Sequence, residues 1–140
     1  RFTDNGDGTV KDNLTGLMWL NDANCFGTLT WQGALDVVAD FNTSPLAYNC
    51  SNYKTNYDDW RLPNIVELES LVNLEKSNPA TWLNTQGFDN VQSSSSSCYW
   101  SATTEANNSY YRWVIGMDIG GHCDGHKSRR NYVWPVRAGQ

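Results

Sequence analysis

No run of 18 or more apolar residues occurs in the 140-residue sequence, so neither membrane insertion nor a retained secretory signal is expected. The chain also lacks an initiating Met and starts at Arg1, as expected of a processed or excised piece of a longer parent. A basic excess is missing too. Ten Lys and Arg against fifteen Asp and Glu leave a formal net charge of -5, and a general nucleic-acid binder needs a basic face, so no nucleic-acid partner is expected. Cys25, Cys50, Cys98 and Cys123 are even in number and show no C-x-x-C spacing. That pattern reads as disulfides rather than zinc ligands or free thiols, which implies an oxidising, extracytoplasmic compartment.

What is present in excess is aromatic surface, with seven Trp and seven Tyr, able to fill a core or to serve as rigid binding surface. The length suits a single domain over residues 1–140 with a genuine core. Residues 1–20 read as a hairpin turning at Asp4-Asn5-Gly6-Asp7-Gly8, followed by a second turn and a core strand at Leu17-Met18-Trp19-Leu20. Thr30 is placed to cap a helix over residues 31–41, whose apolar stripe is Trp31, Ala34, Leu35, Val38 and Phe41. Residues 42–59 lose all periodicity and read as a long surface loop pinned by Cys50. Asn64 and Glu67 have capping-box spacing and start a second helix with the stripe Ile65, Leu68, Leu71 and Val72. Residues 80–97 are polar, end in the run Ser93 to Ser97, and read as flexible loop. Beyond them, 98–103, 111–118 and 131–137 read as short antiparallel strands. Helices followed by strands, with an opening hairpin, make an α+β domain: a twisted antiparallel sheet flanked by two helices.

Few residues carry a pattern suited to chemistry. Asp4, Asn5, Asp7 and Gly8 superficially look like a calcium loop, but in that register the first and twelfth ligand positions fall on Thr3 and Leu14, so turn chemistry explains them. His122 and His126 are four apart within a Gly-rich stretch that reads as loop, where such spacing has no fixed geometry, and H-E-x-x-H is absent. Asp58 with Asp59, and Glu67 with Glu69, are the adjacent acids. Asp59 and Glu67 flank a helix start and are accounted for by capping and the macrodipole. No enzyme activity, metal or cofactor is expected. Trp60, Arg61, Pro63, Trp100, Trp134 and Arg137 read as internal braces and core residues.

Four dispersed segments stand in a distinctive order: Phe2-Thr3-Asp4-Asn5-Gly6-Asp7-Gly8-Thr9-Val10, Asp59-Trp60-Arg61-Leu62-Pro63-Asn64-Ile65-Val66-Glu67-Leu68, Tyr99-Trp100-Ser101-Ala102-Thr103, and Tyr132-Val133-Trp134-Pro135-Val136-Arg137. Together they resemble the Lcl C-terminal domain family, named for a bacterial collagen-like adhesin, from end to end. The resemblance implies a C-type-lectin-like fold and a non-enzymatic binding module, extracellular or on the surface of a bacterium. It favours pairing Cys25 with Cys50, a pair common in the family, and sequence proximity favours Cys98 with Cys123. Each bridge closes a loop of about 25 residues. The fold is also similar to that of formylglycine-generating enzymes, whose redox cysteines and metal site have no clear match here, and a shared fold does not carry a reaction.

Tyr110-Tyr111-Arg112-Trp113 and the loop 120–131 fall where, by that resemblance, related domains present a variable binding face. Tyr110, Trp113, Lys127, Arg129 and Arg130 are the candidate ligand contacts: aromatic rings stack on sugar C–H faces and arginine forks bind sulfate or carboxylate. The bland alternative is a solvated basic loop. A glycan or glycosaminoglycan is the expected partner, and the acidic chain makes a neutral or mixed glycan as suitable as a sulfated one. A homo-oligomer, trimer or filament, is expected as well. The second reading is a disulfide-hardened subunit of an extracellular fibre or surface layer.

Overall fold

The computed structural model describes residues 1–121 and 123–139. It contains two four-stranded sheets, three α-helices and one 3₁₀ turn. The elements in chain order are β1 (Phe2–Asp4), β2 (Thr9–Asp12), β3 (Leu17–Leu20), β4 (Thr28–Leu29), α1 (Trp31–Thr43), the 3₁₀ turn Pro45–Ala47, α2 (Ile65–Glu69), α3 (Pro79–Leu83), β5 (Cys98–Glu105), β6 (Asn108–Gly116), β7 (Asn131–Tyr132) and β8 (Val136–Ala138). The first sheet has the order β1-β2-β3-β8 and the second β4-β7-β5-β6.

The expectation of one antiparallel sheet and two helices is corrected in three places. The segment read as a single last strand is split: β7 joins the second sheet and β8 pairs with β3 in the first. The cause is Val133-Trp134-Pro135, which leaves one sheet and enters the other fully buried. Pro135 has no N–H to offer a ladder, and its carbonyl accepts from Leu20 N–H at 3.2 Å. Trp134 wedges between the layers, with ring centroids 5.4 Å from Trp19, 5.2 Å from Phe88 and 5.3 Å from Tyr99. Its Nε1–H donates to Leu20 O at 2.8 Å. The second correction is that β5 and β7 run parallel, at Tyr99 and Tyr132. The third is α3, in a stretch read as loop: Asn78 caps it through Thr81 N–H, Pro79 occupies its first turn, and Pro79, Ala80 and Leu83 are buried. The serine run closes a turn, Ser97 N–H to Ser94 O at 3.0 Å.

Several other local signals form as expected, although β6 runs over Asn108–Gly116 where the sequence suggested 111–118. Thr30 Oγ1 accepts from Gly33 N–H, and α1 buries Ala34, Val38 and Phe41 while running to Thr43. The Asn64–Glu67 capping box forms in both directions, although α2 itself is only five residues long. Both expected disulfides are present, Cys25–Cys50 and Cys98–Cys123. The opening hairpin pairs β1 with β2, and Asp7 Oδ1 accepts from Thr9 N–H and hydroxyl at 3.0 and 2.6 Å, so this carboxylate serves the turn. Gly8 has φ +88°, and a Cβ there would lie 2.3 Å from Tyr53 Cα; only glycine lets the hairpin meet the 42–59 loop. That loop is less superficial than its composition indicates. Tyr48, Tyr53 and Trp60 pack around Phe41, with centroids 5.0 to 6.2 Å away.

The Asp59 to Leu68 segment braces the closing strand. Arg61 and Val136 exchange both backbone hydrogen bonds at 3.0 Å. Asp59 is not a helix-dipole residue, as expected from sequence, but grips Arg137 at 2.5 and 3.1 Å, while the Arg137 guanidinium stacks 3.8 Å from Tyr57. Arg61 holds Glu67 bidentately, both contacts at 2.8 Å, and Arg1 holds buried Asp12 at 3.0 and 2.8 Å. These donors set the acid response. The hydrogen bond from Arg137 lowers the Asp59 carboxyl. Burial acts to raise Asp12 and Glu67, but donors from Arg1, Thr15 and Leu14, and from Arg61 and Asn64, together leave each below its ordinary value. With the folded-state pKa depressed, the unfolded chain binds more protons as pH falls, so stability is complete above the ordinary carboxyl range and lost below it. Thermal melts are expected to be flat from neutrality to about pH 5 and to fall steeply below about pH 4. Asp59→Asn should flatten part of that fall.

Candidate functional site

The candidate face is built on β6, an edge strand whose outer half is open while Val114, Ile115 and Gly116 are buried. The 123–130 loop folds back along its free edge. Arg112 N–H donates to Gly125 O and Lys127 N–H to Tyr110 O, both at 2.9 Å, and Tyr111 and His126 form an antiparallel bridge. The close approach depends on Gly125, where a Cβ would lie 2.1 Å from Arg112 O. At its start the loop is tied to the buried end of β5 by the Cys98–Cys123 bridge. Lys127 O accepts from Trp31 N–H at 3.2 Å, joining the loop to α1.

This zippering gathers some of the sequence-selected residues and separates others. Tyr110, 65% exposed, stacks near-parallel on His126 at 7° and 6.3 Å, and the Lys127 ammonium lies 5.8 Å from the Tyr110 ring. Tyr111 meets His126 edge-on at 5.1 Å. Arg129 and Arg130 share one open hollow of about 710 Å³ with Ser96, Cys123, Asp124, Ser128 and Asn131. Arg129 also pairs with Asp124 at 3.1 Å, and Arg130 donates to Thr28 O at 2.8 Å. Trp113, 38% exposed, lines a separate small hollow of about 170 Å³ with Glu105, Arg112, Val114, Cys123 and Gly125.

The roles of His126, Arg112 and Asp124 were not legible in the sequence. His126, which from sequence reads as an exposed loop residue rather than a metal ligand, joins Tyr110 and Tyr111 through its ring, and its Nδ1 lies 2.7 Å from Ser128 Oγ and accepts from Ser128 N–H at 3.2 Å. No sequence signal announces this, because the cross-strand partner comes from register alone. His122, the other half of that candidate metal pair, lies outside the described residues. Arg112 is turned inward: its guanidinium lies 4.0 Å from the Trp31 ring and donates to Ser109 O and Tyr111 O. It stiffens the strand. Asp124 shapes the loop: the His126 N–H bond to its carboxylate, and then Arg129, hold its carboxyl below the usual range.

An aromatic and basic face on an edge strand, a loop bridged to that strand's neighbour by a disulfide, and an Asp-Trp-Arg-Leu-Pro-Asn brace on the closing strand now stand together. The sequence profile of the Lcl C-terminal domain matches residues 8–137. The chain belongs to the Lcl C-terminal domain family. Among curated proteins, none matches the chain. For an Lcl C-terminal domain, both disulfides are consistent with an extracellular location. No helix of the described residues is long and apolar enough to cross a membrane.

Proposed function

We propose that this Lcl C-terminal domain is a non-enzymatic carbohydrate-binding and adhesion module of a bacterial surface, using the β6 face and the 123–130 loop. The observation that carries the reading is the backbone zipper between Gly125–Lys127 and Tyr110–Arg112. It sets an exposed tyrosine, a lysine and two arginines on one rigid support, as recognition of sugars with anionic groups requires. Three of the ten Lys and Arg, namely Lys127, Arg129 and Arg130, fall on this face, with Arg112 turned inward behind them. A sulfate or carboxylate would thus meet local positive charge even on an acidic chain. The acids that could have formed a hydrolytic pair have other partners, Glu67 in Arg61 and Asp59 in Arg137. The C-type-lectin-like class of the fold is part of this proposal and rests on the family.

Replacing Arg129 and Arg130 together by Ala is expected to weaken retention on an array of sulfated and carboxylated glycans about tenfold or more, and rising salt should weaken wild-type retention in parallel. Tyr110→Ala should weaken neutral and anionic sugars alike. Unchanged retention in both variants would overturn the reading. A second reading, assembly into a trimer or a filament, is favoured by large apolar side chains left at the surface, Leu46 at 88% and Leu74 at 77% exposed. Light scattering of the non-reduced protein across a concentration series separates closed oligomers from open growth.

A further inference from the structure

We infer a second carbohydrate subsite, for a neutral pyranose, in the hollow beside Trp82. This hollow, about 450 Å³, is lined by Lys76, Ser77, Asn78, Thr81, Trp82 and Thr85 and shares no residue with the hollows of the β6 face. The short helix α3 buries Pro79, Ala80 and Leu83 and leaves Thr81 exposed and Trp82 half-buried, with Asn78 just before the helix and exposed Thr85 just after it. An indole in a stripe of hydroxyls and an amide combines the surfaces a sugar needs: a flat apolar face for its C–H groups and short polar groups for its hydroxyls.

The Trp82 indole N–H differs from those of five of the other six tryptophans. The Nε1–H groups of Trp31, Trp60, Trp100 and Trp134 donate to Ser101 O, Tyr53 OH, Leu29 O and Leu20 O, and that of Trp19 is buried without a partner. Among the described residues, Trp82 Nε1–H has no protein acceptor and is not sealed from solvent. The Ser77 and Thr81 hydroxyls likewise have no protein partner among the described residues. The ring is nevertheless held in place: Phe2 packs against it at 5.9 Å, and Phe2 in turn rests on buried Phe88 at 5.1 Å. The Lys76 ammonium lies 6.0 Å from the ring centroid, at the outer limit of a cation–π contact, where it can also donate to a sugar hydroxyl. The lining holds no arginine fork and no carboxylate, and its one cation, Lys76, lies over the indole, so most of its polar groups are hydroxyls and an amide, which suit the hydroxyls of an uncharged sugar.

The test follows the seven indole N–H signals of the ¹⁵N-labelled, non-reduced protein by NMR, with Trp82→Phe assigning the Trp82 signal. Cellotriose, maltotriose and triacetylchitotriose are added separately. At least one is expected to shift the Trp82 signal saturably. Ser77→Ala with Thr81→Ala, which leaves the Phe2 contact intact, should weaken that sugar several-fold, and Trp82→Ala about tenfold. The Arg129→Ala, Arg130→Ala protein should bind it unchanged, so the two sites fail or survive separately. The inference is overturned if none of the three sugars moves the Trp82 signal, if the signal moves only with protein concentration, marking a contact with a second copy, or if the arginine variant abolishes the shift.

Discussion

Replacing Cys98 and Cys123 together by serine is expected to lower stability by about 3–4 kcal/mol and to abolish binding at the β6 face. The first number follows from loop closure: the bridge joins residues 25 apart, and releasing a loop of that length returns about that much chain entropy to the unfolded state. The second follows from position. Cys98 is buried at the start of β5, whereas the loop beyond Cys123 is otherwise held to β6 by the backbone bonds at Gly125 and Lys127 and by its contacts with α1 and β4. Without the bridge, those few bonds must bear the ordering entropy of the whole segment. Chemical unfolding gives the stability change, and glycan retention at a temperature where the variant remains folded gives the binding change. Replacing Cys25 and Cys50 should cost a similar free energy, since that loop has the same length, but should leave binding intact because no residue of the β6 face depends on it. Equal loss of binding in both variants would show that stability alone, rather than anchoring, controls the site.

Trp134→Ala should be the most damaging single core substitution, at about 3–5 kcal/mol from the lost transfer energy and the cavity left behind. The ring is wholly buried and touches Trp19 in the first sheet, Tyr99 in the second and Phe88 in the segment after α3. Its removal therefore separates layers instead of thinning one. Trp134→Phe isolates the hydrogen bond: it keeps most of the packing but strands Leu20 O, which accepts the indole proton, at a cost of about 1–3 kcal/mol. Urea melts of the two variants would order them, and a Trp134→Phe loss equal to that of Trp134→Ala would locate the energy in the hydrogen bond instead of the wedge.

The Trp134 result bears on how this fold is encoded. Residues 131–137 look like one aromatic, β-branched strand, and nothing in their alternation marks the change of sheet. Pro135 was the available sign, since a proline disrupts a central ladder. Helix α3 was hidden for a different reason. Five residues are too few for a period to show, and Asn78-Pro79 is a start signal that the surrounding Ser, Thr and Asn dilute. For the candidate site, Tyr110, Lys127, Arg129 and Arg130 could be named by residue type, but the register that stacks His126 on Tyr110 could not.

The sequence by itself determined what acts over a few residues: the Thr30 cap, the reciprocal Asn64–Glu67 box, the hairpin at Gly6 and Gly8, and the likeness of four dispersed motifs to the Lcl C-terminal domain. These are decided by backbone groups and side chains three or four positions apart, within reach before any packing exists. Tertiary structure alone decided the rest. Asp59 meets Arg137 across 78 positions, Trp82 keeps its indole open while four other tryptophans bond theirs, and β7 and β8 part between two sheets. Each is settled by which surfaces bury one another, and a partner that is distant in sequence leaves no mark on the local pattern.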